Sequence, residues 1–173
     1  MQRVFSLLLL LQVYIFAAHY NPTIIELEAK LFPKMLVLSE ELKKDAPNLY
    51  ICIITKETDM RHAQLFKEII QKNYKEKLTG KNVVVTIRNF DDIEHYPDGI
   101  IVLQHTQKEI ERIANWANAN KIVSFSYDPT YLEHGILASL YIGVSTKPYL
   151  NREIIKKYKF RFNPYLLELS KFK

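Results

Sequence analysis

The sequence predicts an α/β protein: a three-layer, Rossmann-like sandwich with a mostly parallel sheet and a C-terminal edge hairpin. Segments with helical spacing alternate with short apolar segments of strand length, which is typical of a parallel sheet covered by helices. The 173 residues suit one domain. The proportions of 48% hydrophobic, 12% aromatic and 25% charged residues are those of a globular protein, which argues against long disordered stretches.

The N-terminus differs from the rest of the chain. Arg3 precedes an almost entirely apolar stretch from Val4 to Ala18. A basic start, an apolar stretch of about 15 residues and a small-residue end are typical of a secretory signal peptide. The stretch is short for a spanning helix, which needs about 20 apolar residues. We therefore expect a signal peptide over 1–18, or an uncleaved anchor, followed by one periplasmic domain over 19–173.

The first half of this domain predicts two helix–strand pairs. Apolar residues three and four positions apart indicate the helices, and continuous or β-branched apolar runs indicate the strands. We expect Pro33 to kink or divide the first helix and Gly80 to end the second. The predicted elements are a helix over Thr23–Lys44, a strand over Leu49–Thr55, a helix over Thr58–Lys77 and a strand over Asn82–Ile87.

The second half continues the alternation after a polar loop. Thr106 with Glu109 three residues later forms a capping box, Pro129 is placed to begin a short helix, and Asn151 caps another. The alternating tail Lys156–Phe162 predicts an amphipathic edge strand or a membrane-proximal segment rather than a nucleic-acid contact. The other predicted elements are strands over Gly99–Leu103, Lys121–Phe125, Ile136–Val144 and Lys147–Leu150, and helices over 106–119, 151–158 and from Pro164 onward.

Several catalytic and cofactor-binding patterns are missing from the sequence. The chain lacks a dinucleotide-binding glycine fingerprint, a phosphate loop and a nucleophile elbow. Its five histidines have no metal-ligand spacing, and its single cysteine, Cys52, lies in an apolar run that predicts a small core residue. The net charge of +5 is too weak and too spread to indicate nucleic acid. We expect a non-enzymatic protein without metal or cofactor.

The candidate binding residues follow the predicted strands. In an open parallel sheet, ligands and partners bind at the carboxyl ends of the strands. Gln104 and His105 offer side-chain hydrogen bonds there, Tyr127 and Asp128 can anchor a partner loop, and Glu133 can shape the turn that follows. An ordinary polar rim without a ligand fits the same residues equally well.

The order of these segments resembles one known family. The segments are Leu49–Thr55, Leu78–Val85, Gly99–Leu103, Ile122–Asp128, Gly135 before a strand, Asn151 opening a helix, and the Leu-Leu-x-Leu motif within Tyr165–Ser170. Together with the export signal, they resemble the periplasmic YfiR-type family. That resemblance implies control of an inner-membrane sensor, such as a diguanylate cyclase, through contact with its periplasmic domain, and it implies dimer formation. Family members commonly carry several cysteines, so the lone Cys52 argues against disulfide-based redox control.

A second resemblance is fainter. Phe125–Pro129 with Gly135–Leu140 is similar to the second lobe of exported ABC-type solute-binding proteins. Those proteins close two lobes on a ligand, and this chain has the length of only one. The sequence therefore predicts a regulatory binding domain that acts by protein–protein contact. The alternative is a one-lobed periplasmic protein that binds a small molecule.

Overall fold

The computed structural model describes residues 20–42 and 45–173. The predicted signal peptide over 1–18 lies outside them. The helices and strands are α1 (Pro22–Leu36), β1 (Asn48–Ile54), α2 (Met60–Asn73), β2 (Asn82–Arg88), β3 (Gly99–Val102), α3 (Gln107–Ala119), β4 (Val123–Ser126), β5 (Ala138–Ile142), β6 (Thr146–Leu150), α4 (Arg152–Tyr158), α5 (Pro164–Leu169) and β7 (Lys171–Phe172). Short 3-10 helices cover Glu57–Asp59, Phe90–Asp92 and Pro129–His134. Within the described ranges, no helix is both long and apolar enough to cross a membrane.

The strands form one seven-stranded sheet in the order β2-β1-β3-β4-β5-β6-β7. The strands β1 to β5 pair in parallel, β5 and β6 pair as an antiparallel hairpin, and β7 adds in parallel to β6. This confirms the predicted α/β class with its mostly parallel sheet and C-terminal hairpin. Because β1 has β2 on one side and β3 on the other, the winding reverses between β1 and β3, and the carboxyl ends of five strands share one edge.

Helices cover both faces of the sheet, which explains the continuous apolar run of β1. Leu49, Ile51 and Ile53 belong to one core cluster together with α1 and α2. Cys52 and Ile54 belong to a second cluster that packs against α3. Cys52 is buried, as predicted, and burial raises the pKa of its thiol.

Both predicted helix ends in the first half need correction. One helix, α1, continues through Pro33, because the buried side chains of its last turns hold it against the sheet. It ends at Leu36 instead of Lys44. The second helix ends at Asn73, since the residues after Tyr74 are mostly exposed and gain little from packing. Gly80 does not end that helix; it lies in a later turn with a φ of +85°.

The prediction of an edge strand over Lys156–Phe162 is wrong. Its first residues complete α4, which ends where Lys159 adopts a left-handed conformation with φ of 55°. Phe160 and Phe162 then turn into the core. The alternation therefore reflects two inward-facing aromatic residues in a short linker, and β7 is the edge strand at the C-terminal end of the sheet order.

Asn151 caps α4, as predicted, and also joins three segments. Its Oδ1 accepts a hydrogen bond from the backbone N–H of Ile154 at 3.1 Å. Its Nδ2 donates to the carbonyl oxygens of Leu132 at 2.7 Å and Ile136 at 3.3 Å. The side chain is 6% exposed, so these carbonyls have no ready replacement donor in water.

We predict that Asn151→Ala lowers the free energy of unfolding by about 2 kcal/mol, because it removes a cap and leaves two carbonyls without their donor. The matched control is Asn163→Ala. Asn163 is also a cap, accepting from the N–H of Tyr165 at 2.9 Å, but it is exposed, so its loss should cost about 1 kcal/mol. Urea unfolding compares the two, and equal losses would contradict the bridging role.

Candidate functional site

Two adjoining cavities lie at the carboxyl edge of the sheet, on either side of Tyr127 and Asp128. The smaller, here called the switch crevice, has a volume of about 100 Å³ and is lined by Tyr20, Leu103, Gln104, Tyr127, Asp128 and Tyr131. The larger, here called the edge groove, has a volume of about 530 Å³. The edge groove is lined by Ile24 of α1, residues 127–130, Glu133, Leu140–Ile142 of β5, Tyr149 of β6 and Lys173.

Tyr20 forms one wall of the switch crevice. Its ring stacks on His62, with centroids 4.2 Å apart, and lies 4.6 Å from the ring of Tyr127. The backbone N–H of Gln104 donates to its Oη at 2.8 Å. Burial, followed by the nearby charge of Asp59, raises the pKa of the Tyr20 phenol, so the hydroxyl stays neutral.

His105 is held against its own strand. Its Nδ1 lies 3.1 Å from the carbonyl oxygen of Leu103, so Nδ1 carries the proton and donates. Its backbone N–H donates to Tyr131 Oη at 3.3 Å. Burial lowers the pKa of His105, which favours the neutral ring at neutral pH.

An ion pair joins β1 to α3 beside the crevice. Lys56 Nζ lies 2.7 Å from Glu109 Oε2, and the same oxygen accepts from the backbone N–H and the hydroxyl of Thr106. This is the predicted capping box. The hydrogen bonds from Lys56 and Thr106 lower the pKa of Glu109 to about 2. The loops after β1 and β3 are therefore tied together across the reversal point.

The edge groove has apolar and aromatic walls with charges at its rim. Tyr141 and Tyr149 meet edge to face, with centroids 6.2 Å apart, and Lys171 Nζ lies 3.6 Å from the Tyr141 centroid. At the outer end, Lys173 Nζ pairs with Glu133 Oε1 at 3.2 Å. The ring face of Tyr141 thus already binds one ammonium group, that of Lys171.

Of the two carboxylate oxygens of Asp128, Oδ1 accepts hydrogen bonds within its own loop and Oδ2 does not. Its Oδ1 caps the 3-10 helix, accepting from the backbone N–H of Thr130 at 2.9 Å and from its hydroxyl at 2.7 Å. Within residues 20–42 and 45–173, no donor lies within hydrogen-bond distance of Oδ2. Asp128 therefore positions its own loop and keeps acceptor capacity.

Glu28 of α1 is a buried carboxyl one helical turn after Ile24. The residue is 1% exposed, and its Oε2 has no hydrogen-bond partner in the described part of the chain. Burial raises the pKa of Glu28 well above its usual range, and the charge of Asp128 adds to that increase. An ionised carboxyl in this position would be costly, which favours the neutral form of Glu28.

The five candidates from the sequence all lie at this edge. Tyr127 and Asp128 face both cavities, Gln104 lines the switch crevice, and Glu133 lines the edge groove. Gln104 donates to Tyr20 Oη with its backbone N–H. Tyr127 Oη accepts from the backbone N–H of Asn21 at 2.8 Å. Glu133 pairs with the C-terminal lysine.

Sequence reasoning missed Tyr20, Glu28 and His62. Glu28 had a usable signal: it falls between Ile25 and Phe32 on the apolar stripe of its helix, where a charged residue is out of place. Tyr20 and His62 carry no comparable signal, because only the packing of α1 and α2 on the sheet brings them together.

Comparisons with known proteins support the fold. No family model matches the chain, and no curated protein matches it. A conserved domain protein from Vibrio cholerae O1 biovar El Tor is similar in structure, with a TM-score of 0.56, 14% identity, and coverage of 86% of this chain and 59% of that one. The ABC domain in complex with L-Trp from Streptococcus pneumoniae has a TM-score of 0.57, 12% identity, and coverage of 88% and 62%.

These two neighbours are similar to the chain in fold. The chain has a Rossmann-like α/β fold that is similar to both neighbours, one of which is an ABC domain in complex with L-Trp. The comparisons do not show the YfiR-type resemblance. The chain spans about three-fifths of the length of each neighbour.

We predict that Tyr20→Ala lowers the free energy of unfolding by about 2 kcal/mol, because the half-buried ring leaves a gap between His62 and Tyr127. Tyr20→Phe keeps the ring and loses only the hydrogen bond, so about 1 kcal/mol is expected. Urea unfolding of both variants measures the difference. Equal unfolding free energies for wild type and both variants would show that the ring does not pack in the crevice.

Proposed function

We propose that this chain is a non-enzymatic binding domain, exported to the periplasm, that takes a small organic molecule in the edge groove. The groove itself carries the proposal. Its volume of about 530 Å³ is within the range of small-molecule pockets, about 300–1,000 Å³. It lies at the carboxyl edge of the parallel strands, the edge at which open α/β sheets bind ligands, beside the β5–β6 hairpin and away from the reversal between β1 and β3.

The walls of the groove suit an apolar or aromatic ligand. Ile24, Leu140 and Ile142 come from a helix and a strand anchored in the core, so the cavity is formed by rigid elements. Apolar walls supply affinity through area removed from water, while the polar groups at the rim orient the ligand. The structural neighbour that is described in complex with L-Trp is consistent with a ligand of this size.

We predict that a panel of free amino acids with L-Trp as the first probe contains a ligand that raises the melting temperature, because a ligand that binds only the folded state stabilises it. Ile142→Trp should abolish that increase by filling the groove. Ile142 is 47% exposed, so the larger side chain should not disturb the core. The readouts are thermal shift and isothermal titration calorimetry.

The matched control is Val144→Trp. Val144 is a β-branched, fully exposed residue of the same hairpin and does not line the groove. It should bind like the wild type. The proposal fails if no amino acid in the panel raises the melting temperature, or if Ile142→Trp binds as well as Val144→Trp.

One observation favours a second candidate, regulation of a membrane sensor such as a diguanylate cyclase by protein contact. The tip of the β5–β6 hairpin presents Tyr141, Ile142 and Val144 to solvent. Neighbouring exposed apolar side chains of this kind mark interaction surfaces.

For this second candidate, we predict that Val144→Asp reduces capture of a membrane sensor from detergent-solubilised membranes, because a charge in an apolar contact must lose its water. Ser145→Asp, at the adjacent position, controls for charge alone. Unchanged capture by Val144→Asp, together with unchanged cyclic-di-GMP after deletion of the gene, would reject this candidate.

A further inference from the structure

We propose that two copies of this chain associate through β2, whose open edge pairs in antiparallel orientation with the β2 of the partner. The two sheets then join into one continuous sheet around a two-fold axis. This inference is independent of the proposed function, because the edge groove lies around β5 and β6, toward the other end of the sheet order.

The strand β2 ends the sheet order, and within residues 20–42 and 45–173 it pairs only with β1. Two hydrogen bonds show which of its backbone groups face β1. The N–H of Asn82 donates to the carbonyl oxygen of Pro47 at 2.9 Å, and the carbonyl oxygen of Arg88 accepts from the N–H of Thr55 at 3.0 Å. Because backbone direction alternates along a strand, every second residue from Asn82 to Arg88 bonds to β1.

The intervening residues Val83, Val85 and Ile87 therefore direct their N–H and C=O groups away from β1, toward the open edge. Their side chains lie on the face of the sheet that α1 and α2 cover, where Val85 is 5% exposed. Each of these residues carries one donor and one acceptor that a neighbouring strand can pair. The edge of β2 is thus a ready template for a further strand.

This edge lacks the features that keep edge strands from pairing. Its sequence, Asn-Val-Val-Val-Thr-Ile-Arg, contains neither proline nor glycine, and its only charge is at the end. Its register with β1 is continuous, so no bulge twists it away. By contrast, β7 at the other end of the sheet has two residues, one of them a lysine, and such short, charged strands are protected edges.

The difference between the two edges indicates the symmetry of the pairing. If β2 paired with the partner's β7, most of β2 would stay unpaired, and each dimer would expose another open edge for further growth. If β2 pairs with the partner's β2, the contact closes on itself. Identical strands related by a two-fold axis in this way run antiparallel, which favours a dimer over an open chain.

The sequence of β2 fits an antiparallel register centred on Val85. In that register Val85 lies opposite the partner's Val85, and Val83 lies opposite the partner's Ile87. These are the residues with outward N–H and C=O groups, so each such group meets a complementary one. Val84 lies opposite the partner's Thr86, which makes a second kind of β-branched pair on the opposite face of the sheet.

The charge at the end of β2 favours the same register. Arg88 and Asn82 are exposed, and the register places Arg88 opposite the partner's Asn82. A parallel, in-register pairing would instead place Arg88 beside the partner's Arg88, and like charges directly opposite destabilise a pair of strands. Among the described residues, Arg88 donates to the carbonyl oxygen of Ile87 and has no acidic partner, so its guanidinium is available to a group on the partner.

The experiment measures the mass of the full chain by sedimentation equilibrium over a wide range of concentrations, and a reversible monomer–dimer equilibrium is expected. Asn82→Arg places like charges opposite each other at two symmetric positions, so the dissociation constant should rise about fivefold. Asn82→Glu faces the partner's Arg88 and should lower it by a similar factor. Combining Asn82→Arg with Arg88→Glu exchanges the charges and should restore the dimer. Both positions are exposed, so the monomer should fold in every variant.

Val83→Pro tests the backbone pairing. Proline removes an N–H that does not bond to β1, so the β1–β2 pairing can persist while the dimer loses a hydrogen bond on each side of its axis. The dissociation constant should rise about tenfold or more. Val83→Ala is the matched control, since it shortens the side chain but keeps the N–H, and it should dimerise nearly as well as the wild type. If Val83→Pro fails to fold, the charge series decides.

Three results would overturn the proposal. The first is the mass of a single chain at every concentration. The second is a series of ever larger assemblies, which indicates head-to-tail growth. The third is a dimer whose dissociation constant does not change in Asn82→Arg or Val83→Pro, because such a dimer forms through another surface. The amino-acid panel tests the edge groove separately, so failure of one proposal leaves the other standing.

Discussion

The stack of Phe32 on Phe125 is the contact on which both cavities depend. It joins α1 to β4, two elements separated by most of the domain, with ring centroids 4.7 Å apart and both side chains fully buried. No short loop ties α1 to that part of the sheet, because the next element along the chain is β1. This packing, together with the hydrogen bonds from Asn21 N–H to Tyr127 Oη and from Gln104 N–H to Tyr20 Oη, therefore brings Tyr20 to the switch crevice and Ile24 to the edge groove.

Tyr127 and Asp128 form the boundary that the two cavities share. The Tyr127 ring contacts Tyr20, its hydroxyl accepts from the backbone N–H of Asn21, and its other side faces the edge groove. Asp128 lines both cavities and uses one oxygen to shape its own loop. A single two-residue segment thus holds the N-terminal end of α1 and forms the wall that separates the crevice from the groove.

The parts of this architecture that depend on local patterns could be predicted from the sequence. The capping box at Thr106 and the buried strand around Cys52 follow from neighbouring residues, and both are confirmed. The edge strand proposed for Lys156–Phe162 was wrong because alternation alone does not distinguish a strand from a linker with two buried aromatic rings. The helical pattern marks Glu28 as a charged residue on a buried face. The position of Tyr20 could not be predicted, since it depends on where α1 packs, and the pattern does not give the strands beneath the helix.

The open cavity lies away from the place where this topology usually binds ligands. In a sheet of this order, the crevice between β1 and β3 is the expected site. Here the Tyr20 ring stacks on His62, and the Lys56–Glu109 ion pair ties together the loops after β1 and β3. The small cavity of about 100 Å³ lies beside them and is lined by Tyr20 and by residues that follow β3 and β4. The larger cavity lies on the other side of Tyr127, where the antiparallel hairpin extends the sheet and supplies Tyr141, Ile142 and Tyr149. The hairpin that ends the parallel part of the sheet therefore also provides the wall that the edge groove requires.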